Sequence, residues 1–377
     1  MALPLKEKQS QKNLGLSKPR IVWDMTFAAR SLTGTRVHTQ NLFQHLCTRG
    51  DWDMQQICDP RNGGKSKLKA NAQSIAWLWS GLEKELRRAQ PALFHAAAYL
   101  GPRRAPCPMI VNVFDTTYLT YPRDFDWKWR FYARTVIPHT VKRAAAVITD
   151  SEMMRANIVR VYQVPPERVH VIPPGIDAEF HPITNEHTIA AMRTRYGLGQ
   201  DYLLYVGERH PRKNLPALLA AFARVRRKFP TLEFAIAGPR RTTDEFTRAL
   251  NEFNVRDAVR ELDFVPSSDL PALYAGARAF VFASKLEGFG MPPVEAMACG
   301  TPVIAAPNPP LPQVLGDAAQ FARDDSPEAL AAEISRVLGD DALANALRAR
   351  GVERAREFTW ERAAQATAQL YDNVLHK

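Results

Sequence analysis

The sequence predicts an α/β protein built from two doubly wound parallel sheets. Short apolar runs rich in β-forming residues alternate with helix-length segments in both halves of the chain. This alternation is typical of parallel sheets with helices on both faces. A segment rich in proline and glycine, VIPPGIDAEFHP at 171–182, separates the halves, as a domain boundary does. The length of 377 residues is sufficient for two hydrophobic cores.

The expected strands follow the chain in order. In the first half they are Ile21–Asp24, Ala92–Ala96, Met109–Phe114, Ala145–Thr149 and Arg168–Ile172. In the second half they are Tyr202–Val206, Leu232–Ala237, Arg260–Val265, Ala279–Ala283 and Pro302–Ala305, with helices between them such as Leu215–Phe229 and Thr243–Phe253. The domains are therefore predicted as Rossmann-like units at 21–183 and 184–360. A last helix at 361–377 either stays with the second unit or crosses back to the first. Ligands of such sheets bind beyond the carboxyl ends of the strands.

The composition indicates an ordinary globular protein of the reducing cytoplasm. Hydrophobic residues make up 46% and charged residues 24%, and no run approaches 18 uncharged apolar residues, so no transmembrane helix is expected. Residues 1–20 are polar and basic without an apolar core, which predicts a disordered leader rather than a secretory signal. The four cysteines form no C-x-x-C pair, so neither a disulfide framework nor a structural zinc site is expected.

The net charge of +11 lies entirely in the first half. Residues 1–185 contain 26 Lys or Arg and 15 Asp or Glu, whereas the remainder contains 24 of each. This asymmetry predicts a partner with phosphates, such as an anionic membrane surface or a lipid-phosphate acceptor. Nucleic acid is not expected, because basic and aromatic residues are not interleaved as in RNA-binding motifs. A solvated surface that aids solubility is the equally weighted alternative.

The strongest local motif is AFVFASKLEGFGMPPVEAMACGTPVIAA at 279–306. A buried strand ends near Ser284, a glycine loop follows, and a helix begins at Pro292 or Pro293, where proline suits a first turn. A strand, glycine loop and helix in this order direct backbone N–H groups at an anion. Glu287 and Glu295 flank the loop, and carboxylates suit the vicinal diol of a sugar or ribose. Alone, this pair is better explained by helix-dipole and surface roles.

Several segments in one order resemble family four of the retaining glycosyltransferases, which have the GT-B fold. The 279–306 segment is similar to the family's E-x7-E signature, DSEMMRANIVRVYQVPPERVHVIPPGID at 150–177 to its interdomain segment, and YVGERHPRKNL at 205–215 to its phosphate loop. The resemblance runs from about Ile21 and is strongest after Asp150. It implies a GT-B enzyme whose first domain binds an acceptor and whose second domain binds a nucleotide-sugar.

The resemblance also implies roles for individual residues. Glu295 would bind the ribose, Glu287 the transferred hexose, and Lys213 the diphosphate, where it offsets charge on the leaving group. The backbone at Gly288, Phe289, Gly290 and Met291 would hold the diphosphate end. Gly207 precedes the family's usual arginine position, which is Glu208 here, so Arg209 or Arg212 would substitute. Ordinary surface charge is the alternative for both arginines.

The first half departs from the family's pattern. Gly34 and Arg36 correspond to a glycine-rich loop at a helix N-terminus, with an arginine in place of the second glycine; a plain surface turn is the alternative. Phe114 stands where many relatives have a histidine. Asp115 is therefore the candidate that orients or deprotonates the acceptor hydroxyl, and a turn-capping aspartate is the equal alternative. His95 is expected to be a structural histidine.

Two D-x-D sequences, at 51–53 and 124–126, are expected to serve in loops and caps, so no metal site or cofactor is predicted. The expected function is metal-independent, retaining transfer of a hexose to a glycan or lipid-linked acceptor. The phosphate loop resembles those of bacterial surface-polysaccharide mannosyl- and rhamnosyltransferases, which favours GDP-mannose as donor. The expected location is the cytoplasm, and the basic first half leaves peripheral attachment to the inner face of the cytoplasmic membrane as an option. The alternatives are a GT-B phosphorylase or sugar-phosphate enzyme, and a non-catalytic protein that binds nucleotide-sugars or nucleic acid.

Overall fold

Two six-stranded parallel sheets form the protein, as the alternation of strands and helices predicts. The structure, a computed structural model, describes residues 18–26, 34–59, 76–122, 127–239 and 244–376. Most of the predicted leader and the D-x-D sequence at 124–126 lie outside these ranges. Every strand pairing within both sheets is parallel, which confirms the α/β fold class.

The first sheet has the strand order β2-β1-β3-β4-β5-β6. Its strands are β1 (Arg20–Asp24), β2 (Asp53–Ile57), β3 (Leu93–Ala96), β4 (Met109–Asn112), β5 (Ala146–Thr149) and β6 (Val169–Val171). The helices around it are α1 (Gly34–Arg49), a π-helical turn Trp77–Gly81 that continues into α2 (Leu82–Ala89), α3 (Thr117–Thr120), α4 (Trp127–Arg134), α5 (Val136–Arg143) and α6 (Glu152–Tyr162), with a 3-10 turn at Pro166–Arg168.

The second sheet has the order β12-β11-β10-β7-β8-β9. Its strands are β7 (Tyr202–Val206), β8 (Glu233–Ala237), β9 (Val259–Asp263), β10 (Ala279–Phe282), β11 (Val303–Ala305) and β12 (Ala319–Phe321). The helices are α7 (Glu186–Tyr196), α8 (Leu215–Arg226), α9 (Asp244–Glu252), α10 (Leu270–Ala275), α11 (Met291–Ala298), α12 (Leu311–Leu315), α13 (Pro327–Gly339), α14 (Asp341–Ala355) and α15 (Trp360–Leu375), with 3-10 turns at Pro211–Lys213, Ser267–Asp269 and Gly316–Ala318. Chain order reverses between β7 and β10, which places a ligand crevice at that point.

Two of the four edge strands, β2 and β12, were not predicted from the sequence. The first reads DMQQI and the second AQF, so neither has the apolar run or strict alternation that predicts a strand. Both pair on one side only, where a strand needs less apolar surface. In addition, α11 begins at Met291 rather than at Pro292 or Pro293, which puts Pro292 inside the first turn.

Two segments, at 175–176 and 358–360, run next to each other where the chain passes between the domains. The Ile176 amide donates to the Phe358 carbonyl over 2.9 Å. Gly175 lies so close that a Cβ there would approach the Trp360 nitrogen within 2.2 Å, so no side chain fits. Helix α15 follows this crossing and packs on α1, and its inner residues join the core beneath the first sheet.

Candidate active site

The second-domain side of the site is the loop that joins β10 to α11. Gly290 caps α11 with φ of +99°, a conformation that favours glycine. A Cβ at Gly288 would lie 2.3 Å from the Phe114 carbonyl oxygen of the first domain, so the loop approaches that domain backbone to backbone. The first amides of α11 therefore point into the space between the domains, where an anion is stabilised by the helix N-terminus.

A cluster of two cations and one carboxylate lies beside this loop. Glu287 forms ion pairs with Lys213 and with Arg212, the latter over 3.0 Å between Nη1 and Oε2. The Ser284 hydroxyl donates to the same carboxylate. The Lys285 amide also donates to the Arg212 carbonyl over 2.8 Å. The turn after β7 and the loop after β10 are thus held together, because neighbouring parallel strands end at one edge.

The cluster is deeply buried and strongly coupled. Glu287 is 8% exposed and Lys213 is 7% exposed. Burial opposes the charge on Glu287, but Lys213 and Arg212 outweigh it and lower the pKa of this carboxyl to about 2. Burial lowers the pKa of Lys213 despite Glu287, whereas the carboxylate raises the pKa of Arg212 against the effect of burial. Two cations therefore contact one carboxylate, and the charges of Asp115 and Glu208 also act on Arg212 and Lys213 respectively.

Glu295 lies one helical turn further along α11 and has different partners. The Tyr274 hydroxyl of α10 donates to its Oε2 over 2.9 Å. Burial raises the pKa of Glu295 to about 7, against the effect of the Tyr274 bond, and the nearby carboxylate of Asp177 adds to the rise. Asp177 itself accepts from the Trp360 indole over 2.6 Å and from Asn41 over 2.5 Å. Glu295 thus lies beside the segments that connect the domains.

The two arginines of the phosphate loop point to different places. Arg209 is 2% exposed, pairs with Glu261 of β9, and lies 4.8 Å above the Phe246 ring. Arg212 instead faces Glu287 and donates to the Leu286 carbonyl over 2.9 Å. Arg212 is therefore the arginine that adjoins Lys213 on the cleft side.

Gly207 ends β7 directly beside the end of β8. Its φ is +152°, and a Cβ there would lie 2.8 Å from the Tyr205 hydroxyl. A Cβ at the neighbouring Gly238 would meet the Gly207 carbonyl at 2.1 Å. The close packing of these glycines lets the chain turn from the strand toward Arg212 and Lys213.

The first-domain side is formed by the ends of β4 and β5. Asp115 follows β4, and its Cβ lies 3.6 Å from the position of a Cβ on Gly288. Its Oδ1 accepts from the Thr117 amide over 3.0 Å and from the Thr117 hydroxyl over 2.7 Å. Asp115 therefore caps a turn and also borders the cleft. Ser151, which caps α6, donates to the Gly288 carbonyl over 2.8 Å and ties the two domains together.

A buried carboxyl group lies behind Asp115. Asp150, at the end of β5, is buried, and its pKa is raised well above the ordinary value by burial and by the charge of Asp115. Thr149 donates to it weakly, over 3.4 Å. Neither Asp150 nor Ser151 was singled out by the sequence reasoning, although both follow a predicted strand at its carboxyl end.

The other first-domain candidates have distinct positions. Gly34 opens α1 next to Met291 of the facing loop, with the Met291 sulfur 3.6 Å from a Cβ built on Gly34. Arg36 lies on the exposed first turn of the same helix. His95 is fully buried, contacts the Tyr371 hydroxyl, and bonds Asn112 over 2.8 Å. His95 is thus structural and lies away from the cleft surface.

The structure brings most of the candidates to one cleft. Met291 and Gly34 meet across it, and Asp115 adjoins Gly288. The Phe289 side chain is buried against Phe358, with the ring centroids 5.2 Å apart. Phe289 therefore offers only its backbone to the cleft. The D-x-D sequence at 51–53 lies elsewhere, since Asp51 pairs with Arg49 and Asp53 with Arg20.

Over the ranges given above, no three His, Cys, Asp or Glu side chains are grouped for a metal ion. Within the same ranges, no helix is long and apolar enough to span a bilayer.

Two family models match the chain, one in each domain. The model described as Glycosyl transferases group 1 matches residues 192–357. The model described as Glycosyltransferase Family 4 matches residues 33–180. The first match contains the cation cluster and both glutamates, and the second contains Asp115 and the start of α1.

Known proteins that are similar over most of this chain include an O-antigen chain mannosyltransferase. The O-antigen chain mannosyltransferase B of Escherichia coli is 28% identical over 345 residues, which cover 84% of this chain and 87% of that protein. Among solved structures, sucrose-phosphate synthase from Thermosynechococcus elongatus superposes with a TM-score of 0.76 at 20% identity, covering 95% of this chain and 100% of that one. WaaG, a glycosyltransferase involved in lipopolysaccharide biosynthesis, gives a TM-score of 0.71 at 18% identity, covering 93% and 99%. These two structures share the fold.

Proposed function

Since the chain belongs to the group 1, family 4 glycosyltransferases and has the GT-B fold, we propose that it transfers mannose from GDP-mannose with retention of anomeric configuration. The acceptor is a glycan, and the product is part of a bacterial surface polysaccharide. The similarity to an O-antigen mannosyltransferase over most of both chains supports the choice of mannose. The observation that carries the proposal is that Lys213 and Arg212 both pair with Glu287, which lies in the loop just before the N-terminus of α11.

The diphosphate of the donor lies against these two cations and the first amides of α11. Lys213 is buried, and a single carboxylate pairs with both Lys213 and Arg212, so two cations contact one anion. Both cations are fixed in place before the reaction, and they stabilise a diphosphate more strongly in a dry cleft than in water. The cations and the helix N-terminus together supply the charge neutralisation that a divalent metal supplies in other transferases. We therefore propose metal-independent transfer without a cofactor.

Glu287 exchanges partners when the donor binds. Without donor its carboxylate accepts from Lys213, Arg212 and Ser284, which leaves little capacity for a sugar. A diphosphate that binds Lys213 and Arg212 replaces Glu287 as their ion-pair partner. The Glu287 carboxylate can then accept a hydrogen bond from a hexose hydroxyl. Glu295 keeps Tyr274 on one oxygen and offers the other to the ribose diol.

The transfer step uses the leaving group as its own base. The acceptor hydroxyl oxygen attacks the anomeric carbon on the face from which the diphosphate departs, and the bond from that carbon to the phosphate oxygen breaks. The departing phosphate oxygen takes the acceptor proton, so the step needs no protein nucleophile. Asp115 orients the acceptor hydroxyl from the first-domain side. The tight contact of Gly288 with Phe114 and Ser151 excludes water that would hydrolyse the donor.

The acceptor domain carries the entire excess of basic residues. With 26 Lys or Arg against 15 Asp or Glu in residues 1–185, it attracts anionic partners. We propose that the acceptor is a lipid-linked glycan and that the enzyme works at the inner face of an anionic membrane.

A nucleotide panel and a donor screen test the proposed reaction. GDP should raise the melting temperature more than UDP or ADP, because a ligand of the folded form stabilises it. GDP-mannose with a lipid-linked or soluble glycan should give a product whose anomeric proton matches that of the donor, and added EDTA should not slow the reaction. A demand for inorganic phosphate instead would identify a phosphorylase. Tight nucleotide-sugar binding without turnover on any glycan would identify a binding protein.

A further inference from the structure

Helix α4 exposes a stripe of aromatic and basic side chains. Trp127 is 67% exposed and Phe131 is 39% exposed, and Arg130 and Arg134 are exposed as well. The other three residues lie 3, 4 and 7 positions after Trp127, so all four share one face of the helix. Helix α4 therefore presents exposed aromatic surface within the part of the chain that the structure describes.

The opposite face of α4 fixes the orientation of this stripe. The Trp129 ring packs edge-on against Tyr99 and Tyr118, with centroid distances of 5.6 Å and 5.9 Å. Ala133 is buried in the same core. Because aromatic residues anchor the inner face, the outer face cannot rotate inward without breaking these contacts. The exposure of Trp127 and Phe131 is therefore built into the fold.

Basic residues surround the stripe. Residues 101–143 contain eight Lys or Arg and three Asp or Glu, a net charge of +5. Arg103 and Arg104 are exposed, and the Arg103 carbonyl contacts His139 of α5 over 3.0 Å. Helix α5 packs on α4 and ends in exposed Lys142 and Arg143. This surface is thus positive around an aromatic centre.

We propose that the exposed stripe of α4 docks the first domain on the surface of an anionic lipid bilayer. Tryptophan and phenylalanine partition into the boundary between headgroups and acyl chains, and arginines on the same face pair with lipid phosphates. Eight residues make a helix about 12 Å long, so α4 lies in the interface and does not cross it. The surrounding basic residues add the second attraction that stable docking of a short element needs.

The stripe is linked to the acceptor side of the cleft. Trp129 touches Tyr99, and Tyr99 packs on Phe114 at a centroid distance of 5.8 Å, next to Asp115. A docked α4 therefore holds the tips of the first-domain strands near the bilayer from which a lipid-linked acceptor would enter. This inference rests on the proposed location at an anionic membrane. The docking itself does not depend on the donor or on the reaction, so its failure would leave the proposed sugar transfer standing.

Vesicle sedimentation of the full chain tests the assignment. The protein is mixed with vesicles of phosphatidylglycerol and phosphatidylcholine in equal parts, or of phosphatidylcholine alone, at low and high salt. Arg130→Gln with Arg134→Gln should weaken binding to the anionic vesicles about 30-fold, because each arginine contributes a factor of about five. The control pair Arg323→Gln with Arg356→Gln removes the same charge from exposed second-domain sites and should change binding less than about twofold.

The aromatic half of the stripe has its own variants. Trp127→Ser with Phe131→Ser should weaken binding about 10-fold or more, while the melting temperature and the response to GDP stay unchanged. Trp127→Phe should bind nearly as the parent protein does but lose part of the fluorescence quenching by brominated lipid. Equal binding to both vesicle types, or equal effects of the stripe and control variants, overturns the proposal. A stripe that instead mediates self-association in light scattering, without vesicle binding, also overturns it.

Discussion

Replacement of Glu295 by glutamine should stabilise the protein and weaken donor binding together. The substitution keeps the shape of the side chain and an oxygen that can accept from Tyr274. It removes the ionisation that burial disfavours. In the wild-type protein burial raises the pKa of Glu295 from 4.5 to about 7, so the folded state binds the proton more tightly than the unfolded state.

The size of the effect follows from this pKa difference. Each pKa unit corresponds to about 1.4 kcal/mol, so ionised Glu295 costs the folded protein about 3 kcal/mol above pH 7. Part of the side chain is exposed, and this value is therefore an upper limit. Because the folded pKa is raised, wild-type stability falls as the pH rises from about 4.5 through 7. The variant should match the wild type at pH 4.5 and exceed it at pH 8.

Functional loss should accompany this gain. The glutamine oxygen is occupied by Tyr274, and its amide nitrogen cannot accept from a ribose hydroxyl. Loss of hydrogen bonds to a charged acceptor corresponds to about 1.5 to 3 kcal/mol, so GDP affinity should fall about 10-fold to 100-fold. A stable but impaired variant is typical of strained active-site residues.

Thermal melts between pH 4.5 and 9, paired with calorimetric titration of GDP, measure both effects. A gain of about 3 kcal/mol corresponds to a rise of roughly 6 to 12 °C for a domain of this size. Tyr274→Phe is the matched variant, because it removes the hydrogen bond that lowers the pKa of Glu295. The fall in the stability of this variant with rising pH should therefore occur at higher pH than in the wild type. If Glu295→Gln melts in parallel with the wild type at every pH and binds GDP equally, the reasoning is refuted.

Three further changes test the rest of the site. Lys213→Ala should lower turnover about 10²-fold or more, because transition-state charge loses a fixed cation; unaltered kinetics of a folded variant would remove this residue from the site. Glu287→Gln should tighten GDP binding, since the competing carboxylate is gone, and should destabilise the protein at pH 7. The lowered pKa of Glu287 means that wild-type stability is present above about 4.5 and is lost as the pH falls toward 2, so the gap between the melting curves should narrow in acid. Gly288→Ala should keep the melting temperature but lower turnover, because its Cβ meets the Phe114 carbonyl at 2.3 Å and pushes the domains apart. A larger scattering radius would confirm that opening, and unchanged turnover would contradict it.

Two of the four edge strands, β2 and β12, show where prediction from the sequence ends. The core strands β7 and β10 were predicted because they are continuous apolar runs, YLLYV and AFVF, which belong to sheets covered on both faces. Strand β2 reads DMQQI and pairs with β1 alone. Its pairing partner, and not its own composition, decides its conformation.

The chain by itself determined the alternating fold and the conformational demands of the loop before α11. Those are local properties, since a position such as Gly290 with φ of +99° favours glycine whatever surrounds it. Only the tertiary structure decided which arginine faces the cleft, because Arg209 and Arg212 differ in partners that lie far along the chain. Glu261 draws Arg209 toward β9, across 52 residues, and Glu287 draws Arg212 toward β10. A long flexible side chain follows the nearest opposite charge, and the sheet order sets where that charge lies.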